Sequence, residues 1–356
     1  MSFSSRLLQW YHKHQRDLPW RQSSDPYRVW LSEIILQQTR IAQGYEYYLR
    51  FLEKFPDVQA LAAASEDEVL ALWQGLGYYS RARNLHFTAR MLANDYNGEF
   101  PPTLKGLLSL KGVGAYTAAA IASICFGIPV AAVDGNVLRV MARYFCIQEP
   151  VDTSPVTRQI NQMANELIDT NHPGIFNQAL MDLGATVCKP GKPFCHLCPL
   201  ADDCQGRALN LQDQLPKKIK KVKVKKRFFH FFHLQKTENG ETLLLVEKRR
   251  GDDIWKNLYQ LPLLESAAEE FSDEELMAHP VMKAINTASI FWAFAGLPKS
   301  YRHVLTHQVL QAKFYRIEVS ENYYPNFGKI FEWVTYSQFR DKGKPILVKR
   351  FLDELA

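Results

Sequence analysis

Four of the six cysteines, Cys188, Cys195, Cys198 and Cys204, fall within 17 residues in the spacing Cys-x6-Cys-x2-Cys-x5-Cys. Thiols so close in sequence can converge on one metal centre. A structural zinc site normally shows two short Cys-x2-4-Cys pairs. Here one short pair is flanked by gaps of six and five residues. That pattern suits a loop wrapped around a larger object, such as an iron–sulfur cluster of the four-iron type. Zinc or two disulfides are the alternative readings, and His196 reads as a bystander. Cys125 and Cys146 sit among apolar residues as reduced core thiols, so a reducing cytoplasm fits all six.

Two carboxylates have settings suited to proton chemistry. Glu33 lies within Trp30, Leu31, Ile34, Ile35 and Leu36, where partial desolvation raises a carboxyl pKa and keeps its proton on. Composition alone favours an ordinary exposed helix glutamate. Asp134 follows the apolar run Pro129 to Val133 and precedes Gly135-Asn136-Val137, so it reads as a helix N-cap. Amide donors and the helix dipole favour the ionised form at such a position. Leu110-Lys111-Gly112-Val113-Gly114-Ala115-Tyr116 is the other informative stretch. Gly112 and Gly114 allow a tight turn between helices that exposes amide N–H groups to a phosphate oxygen, with Val113 folded back to fix it.

These residues need elements to position them. At 356 residues, two or three domains are expected. The hydrophobic fraction of 47% is that of an ordinary globular protein. No apolar run approaches the length that spans a membrane, and Met1 to Trp20 lacks the apolar core of a signal peptide. Net charge is +6. Lys217, Lys218, Lys220, Lys221, Lys223, Lys225, Lys226 and Arg227 form one acid-free run, read equally as a solvated linker or as a strap on nucleic-acid phosphates. The pattern from Ser5 to Ile175 is helical almost throughout, and Asp25-Pro26 reads as a cap with proline at the first helical position. Phe228 to Leu234, Thr242 to Glu247 and Lys313 to Val319 read as strands. The expected order is a helical region over residues 1–187, a cysteine loop over 188–204, a basic linker over 205–227 and an α+β domain over 228–356.

The hairpin and the cysteine loop together resemble the endonuclease III superfamily of base-excision DNA glycosylases. Over its whole length the chain resembles the MutY adenine DNA glycosylases within it. Leu18-Pro19-Trp20-Arg21, Ser32 to Thr39, Gln74 to Arg81 and Val133 to Val137 carry that resemblance alongside the two motifs. It implies a mostly α helix-hairpin-helix glycosylase region of six-helix barrel type holding one 4Fe-4S cluster on the four cysteines, followed by a Nudix-like α+β domain. The activity it implies is removal of adenine mispaired with 8-oxoguanine or guanine. The implied partner is double-stranded DNA, met by a monomer in the cytoplasm, at the nucleoid of a prokaryote.

By the same resemblance Glu33 maps onto the general acid, Asp134 onto the group that stabilises the sugar cation, and Asn136 onto a partner of Asp134 or of the nucleotide. Tyr116 stands where bifunctional relatives carry a Schiff-base lysine, so base removal is expected without efficient lyase chemistry. Arg16, Trp20 and Gln178 map onto the adenine pocket. Gln38, Leu76 and Tyr78 map onto positions that enter the base stack as the target nucleotide is extruded. The C-terminal domain lacks the Arg-Glu-x-x-Glu-Glu arrangement of magnesium-dependent Nudix enzymes, despite Glu269-Glu270 and Glu274-Glu275. Its lesion-reading loop is Leu305-Thr306-His307 where the family has Phe-Ser-His, which keeps a hydroxyl and a histidine but loses aromatic area. The competing readings are a pyrimidine-lesion glycosylase/lyase and a non-enzymatic iron–sulfur DNA-binding protein.

Overall fold

Phe3, Leu7, Trp10 and Tyr11 recur at the i, i+4, i+7, i+8 spacing that puts four side chains on one helix face. In the computed structural model they form the buried face of α1 (Phe3–His14). The structure describes residues 2–219, 224–288, 291–319, 327 and 330–355. Lys220, Lys221 and Lys223 of the basic run lie outside them. The chain divides into two units, residues 1–63 with 84–221, and residues 64–83 with 222–356. No helix among the described residues is long and apolar enough to cross a membrane.

Helices follow one another through the first part of the chain. They are α2 (Pro26–Leu36), α3 (Ile41–Lys54), α4 (Val58–Ala63), α5 (Glu66–Leu72), α6 (Ser80–Asp95), α7 (Leu104–Leu108) and α8 (Ala115–Phe126). Then come α9 (Gly135–Tyr144), α10 (Ser154–Leu167), α11 (Pro173–Thr186) and the short α12 (Gln205–Ala208). Asp25 caps α2 as expected, accepting from the Tyr27 amide at 2.8 Å, with Pro26 in the first turn. In the first unit one core joins α1 to α9, α10 and α11 through Leu7, Val140, Ile160 and Phe176, and Cys188 and Cys198 pack against it. α8 is apolar on every side and is accordingly buried, between α2 and α11.

The cysteine loop is seated directly on α9. A Cβ on Gly206 would lie 2.4 Å from the Arg143 carbonyl oxygen. Only a residue without a side chain lets α12 approach that backbone. Gly112 meets a different demand: its φ of +80° closes the hairpin between α7 and α8. Val113 is buried at 6% exposure beneath the turn.

The second unit contains β1 (Lys225–His233), β2 (Gln235–Glu238), β3 (Glu241–Lys248), β4 (Tyr259–Gln260), β5 (Leu263–Ser266), α13 (Asp273–Ala278) and α14 (Pro280–Thr287). It continues with β6 (Trp292–Phe294), β7 (Lys299–Val304), β8 (Gln308–Val319), β9 (Phe331–Thr335), α15 (Tyr336–Asp341) and α16 (Ile346–Asp353). One sheet runs β5-β1-β8-β6, with β7 also paired to β8. The other runs β2-β3-β4, with β9 on β3. β1 and β8 pair in parallel from Lys225 opposite Gln308 to His233 opposite Arg316. The strand therefore begins three residues before the aromatic run that signals it in the sequence, because its first residues are ladder-bonded and the Arg227 charge is neutralised. Phe231, Phe314 and Phe351 stack in series at 4.7 and 4.4 Å, fixing α16 on the sheet.

Residues 64–83 belong to this unit through polar contacts. Lys248 pairs with Asp67 at 2.6 Å, Asn257 donates to Glu66 at 2.5 Å, and Arg83 donates to the Lys256 carbonyl at 3.0 Å.

Replacing Gly206 by alanine forces a methyl group against the α9 backbone and is expected to destabilise the protein by about 1–3 kcal/mol. Thermal unfolding of Gly206→Ala checks this against Gly251→Ala, where an added Cβ meets nothing within 4 Å. Equal melting temperatures for the two variants would contradict the close approach.

Candidate active site

The start of α9 gathers the chemistry. Asp134 is its N-cap, and one carboxylate oxygen accepts from the amides of Asn136 at 2.9 Å and Val137 at 2.8 Å. The other accepts from the Asn136 side chain at 2.7 Å. Burial pushes the Asp134 pKa upward, and these three donors with the Arg139 charge oppose it without fully cancelling it. The sequence expectation is that amide donors and the helix dipole favour the ionised form; the donors are present, and burial opposes them.

Glu33 comes from the last turns of α2, half-buried beside Ile34 and Ile35. Burial pushes its pKa up to about 7, and the neighbouring Asp134 charge adds to the rise. A hydrogen bond with Tyr116 and the Arg21 charge pull the other way. Three donors favour the charged form of Asp134 and one that of Glu33, so a proton shared within the pair rests on Glu33. Tyr116, in the first turn of α8, completes the group. Burial and the two carboxylates hold its phenol well above the usual range, so it stays protonated. Its hydroxyl also reaches Met181 Sδ at 3.1 Å.

The structure thus brings Glu33, Tyr116, Asp134 and Asn136 together. It gives the three expected pocket residues definite partners. Arg16 donates its Nε to Asp182 at 3.0 Å. Gln178 accepts from the Tyr11 hydroxyl at 3.0 Å. Trp20 is 7% exposed, with its ring edge-on to Tyr48 at 5.2 Å. Arg21 holds both oxygens of the same Asp182 at 2.7 and 2.6 Å. Asp182 is fully buried; desolvation opposes its charge, but the two guanidinium groups outweigh it and hold the carboxyl below its ordinary range. Neither Asp182 nor Arg21 stands out individually in the sequence. The one available signal was an acid inside the apolar stretch Ala179 to Leu183.

Arg139 and Arg143, one turn apart on α9, were also missed. Arg139 donates to the Asn136 side chain at 3.0 Å and to the Cys188 carbonyl at 2.8 Å. Arg143 donates to Cys188 Sγ at 3.3 Å and to the Lys189 carbonyl at 2.7 Å. Cys188, Cys195, Cys198 and Cys204 all line one small cavity under Arg143. All six cysteines are free thiols, which removes the disulfide reading. Burial pushes Cys198 up to about 12. Among the described residues no three His, Cys, Asp or Glu side chains form a group arranged for a single metal ion.

The residues expected to enter the base stack differ in exposure. Gln38 and Tyr78 are exposed and hold φ of +56° and +48°. Such backbone costs a non-glycine residue energy and clusters at functional sites. Leu76 is instead buried at 8% exposure and lines a cavity of about 440 Å3 in the second unit, with Tyr78, Trp255, His303, Thr306 and His307. Thr306 and His307 occupy the exposed tip between β7 and β8, and Leu305 is half-buried. The Tyr78 hydroxyl is hydrogen-bonded to that of Thr306. His303 faces the Trp255 ring at 6.2 Å.

Comparison with known proteins agrees with both halves. Residues 31–166 match the HhH-GPD superfamily base excision DNA repair protein model, and residues 231–354 match the NUDIX domain model. An adenine DNA glycosylase of Buchnera aphidicola subsp. Baizongia pistaciae is 37% identical, over 73% of each chain. The adenine DNA glycosylase of Homo sapiens is 45% identical over 60% of this chain, which spans 41% of the human protein. A solved thermostable thymine-DNA glycosylase superposes with a TM-score of 0.54 at 31% identity, covering 58% of this chain and 95% of that one. A trapped endonuclease III–DNA covalent intermediate gives 0.51 at 25%, covering 58% and 95%. A helix-hairpin-helix unit, a Nudix-like unit and a relative matched across most of both chains agree: this chain belongs to the adenine DNA glycosylases.

Proposed function

We propose that the protein hydrolyses the N-glycosidic bond of adenine mispaired with 8-oxoguanine or guanine in duplex DNA, and leaves the strand intact. The observation that carries the reading is a carboxyl held near neutrality, Glu33, beside a capped carboxylate, Asp134, with a phenol in place of an amine. The adenine is turned out of the stack, which Gln38 and Tyr78 help to fill. Glu33 delivers its proton to N7 of the purine. The glycosidic electron pair then leaves with N9, and positive charge develops at C1′. Asp134 faces that charge, either as a counter-ion or by transient attachment. Water adds at C1′, and its proton returns to Glu33. This division between an acid and a carboxylate is that of glycoside hydrolysis.

Asp182 and Arg21 hold the neighbouring wall in register, and the Arg21 guanidinium places positive charge near Glu33. Arg16, Trp20 and Gln178 then shape the adenine pocket chiefly through the partners described above. The nearest amine in sequence to Tyr116 is Lys111, whose ammonium lies over the Phe87 ring at 4.3 Å. A phenol forms no imine, which supports base removal without lyase chemistry.

The four cysteines suit one 4Fe-4S cluster: they are four free thiols around one cavity, with a guanidinium on the first sulfur. Bound there, the cluster would supply four metal–thiolate bonds that close the loop into a rigid body. The Gly112-Val113-Gly114 turn presents amides to a DNA phosphate, and Leu305-Thr306-His307 reads the lesion opposite adenine. The protein acts as a monomer, in the cytoplasm.

A duplex with one adenine opposite 8-oxoguanine tests the reading. Free adenine is expected, with strand breaks appearing only after alkali; breaks without alkali, trapped by borohydride, would point to a lyase. Release of no adenine by the iron-loaded protein would favour a DNA-binding role without chemistry. Glu33→Gln is expected to lower release by about a hundred- to ten-thousandfold, the scale of lost acid catalysis, while duplex affinity is retained. In the wild type Glu33 must be protonated to act. The single-turnover rate is therefore expected to fall as pH rises through about 7, and a rate flat from pH 6 to 9 would remove Glu33 as the acid.

A further inference from the structure

Arg227 ends the basic run, yet it is only 8% exposed. Its Nε and Nη2 each donate to Glu265 at 2.6 Å. Nη1 and Nη2 donate to Asp253 at 2.9 and 2.5 Å. Nη1 also donates to the Gln308 side chain at 3.0 Å, and the guanidinium lies 4.8 Å from the Phe229 ring centre. Five contacts on one planar fork demand an arginine; an ammonium cannot span them.

The three partners stand on different elements. Glu265 is on β5. Asp253 precedes Trp255, held at φ +63°, and is gripped a second time by Arg249 at 2.5 Å. Gln308 is the first residue of β8 and closes the two-residue turn: the Leu305 amide donates to its carbonyl at 2.8 Å. The His307 carbonyl accepts from the Lys225 amide at 2.9 Å, two residues from Arg227. Asp253, Trp255, Thr306, His307 and Gln308 all line the same cavity of about 440 Å3. The fork therefore ties the Asp253 wall to the root of the Thr306-His307 turn.

We propose that Arg227 is a positioning residue for discrimination of the base opposite adenine, acting through Gln308 to hold the Thr306-His307 turn against the Asp253–Trp255 wall. The inference rests on the reading of that turn as the lesion contact. It also assigns the last cation of the basic run to the interior of the domain, away from DNA phosphates.

The test uses the full-length, iron-loaded protein and two duplexes, adenine opposite 8-oxoguanine and adenine opposite guanine. The readout is the ratio of the two single-turnover rates. Thr306→Ala and Arg227→Met are each expected to lower that ratio about three- to tenfold, the scale of one lost hydrogen bond. The double variant is expected to be no worse than the poorer single, since both act on one turn. A double variant whose loss is the product of the two singles overturns the coupling. A silent Thr306→Ala overturns the underlying lesion-turn reading, and the coupling with it. Arg227→Met leaves two carboxylates without their counter-ion, so Gln308→Leu serves as the second variant: it keeps the ion cluster and cuts the link to the turn. It is expected to lower the ratio equally at an unchanged melting temperature, and an unaltered ratio overturns the proposal.

Discussion

Arg143 is 2% exposed, and all three of its guanidinium nitrogens are engaged: Nε by the Leu215 carbonyl, Nη1 by Cys188 and Lys189, Nη2 by the Gly191 carbonyl. A buried cation of this kind is tolerated only where every donor is met, and removing its acceptors leaves an uncompensated charge. The cysteine loop and α9 consequently hold each other in place. Gly206 permits the backbone approach, Arg143 supplies the polar tie, and Arg139 continues it to Asn136 and so to Asp134. Asp134, the carboxylate we propose to meet the sugar cation, stands at one end of a helix whose flank is fixed by the cysteine loop.

That arrangement separates two duties. The cysteine region positions, and the proposed proton chemistry belongs to the N-terminus of α9, where three donors favour charge on Asp134. Glu33, reached by one phenol, keeps the proton of the pair. Asp182 takes a third role nearby. Buried and doubly bonded to Arg21, with Arg16 as a further partner, it is held towards the ionised form as a structural anion. Three acids in one region therefore have three protonation tendencies, each set by its count of donors against its desolvation.

Local chemistry was legible in the sequence wherever it depends on neighbours in the chain. The Cys-x2-Cys spacing, the Gly-Val-Gly turn, the Asp25-Pro26 and Asp134-Gly135 helix starts, and the three strand runs are all short-range patterns. The upward shift of the Glu33 carboxyl was readable in its apolar neighbours, whereas the role of acid came from the family resemblance. What stayed hidden depends on pairs far apart in the chain. Arg21 and Asp182 are separated by 161 residues, Arg227 and Gln308 by 81. A lone arginine in sequence reads as surface charge, which is why Arg139, Arg143 and the closing residue of the basic run gave no sign of burial. The grouping of residues 64–83 with the Nudix-like unit was hidden for the same reason: Asp67 and Glu66 look like first-turn helix acids until Lys248 and Asn257 are placed beside them. That Leu76 lines the cavity of the second unit was hidden likewise, because its neighbours there are far away in the chain.

The proposed chemistry depends on where one proton sits. Carboxyl-carbon NMR of glutamate-labelled protein, compared with Glu33→Gln, isolates the Glu33 resonance and its titration in the absence of any reaction. The structure expects a midpoint of about 7, with the carboxyl protonated at pH 6. A midpoint at the ordinary glutamate value of about 4.3 would contradict it, because Glu33 would then carry no proton to give.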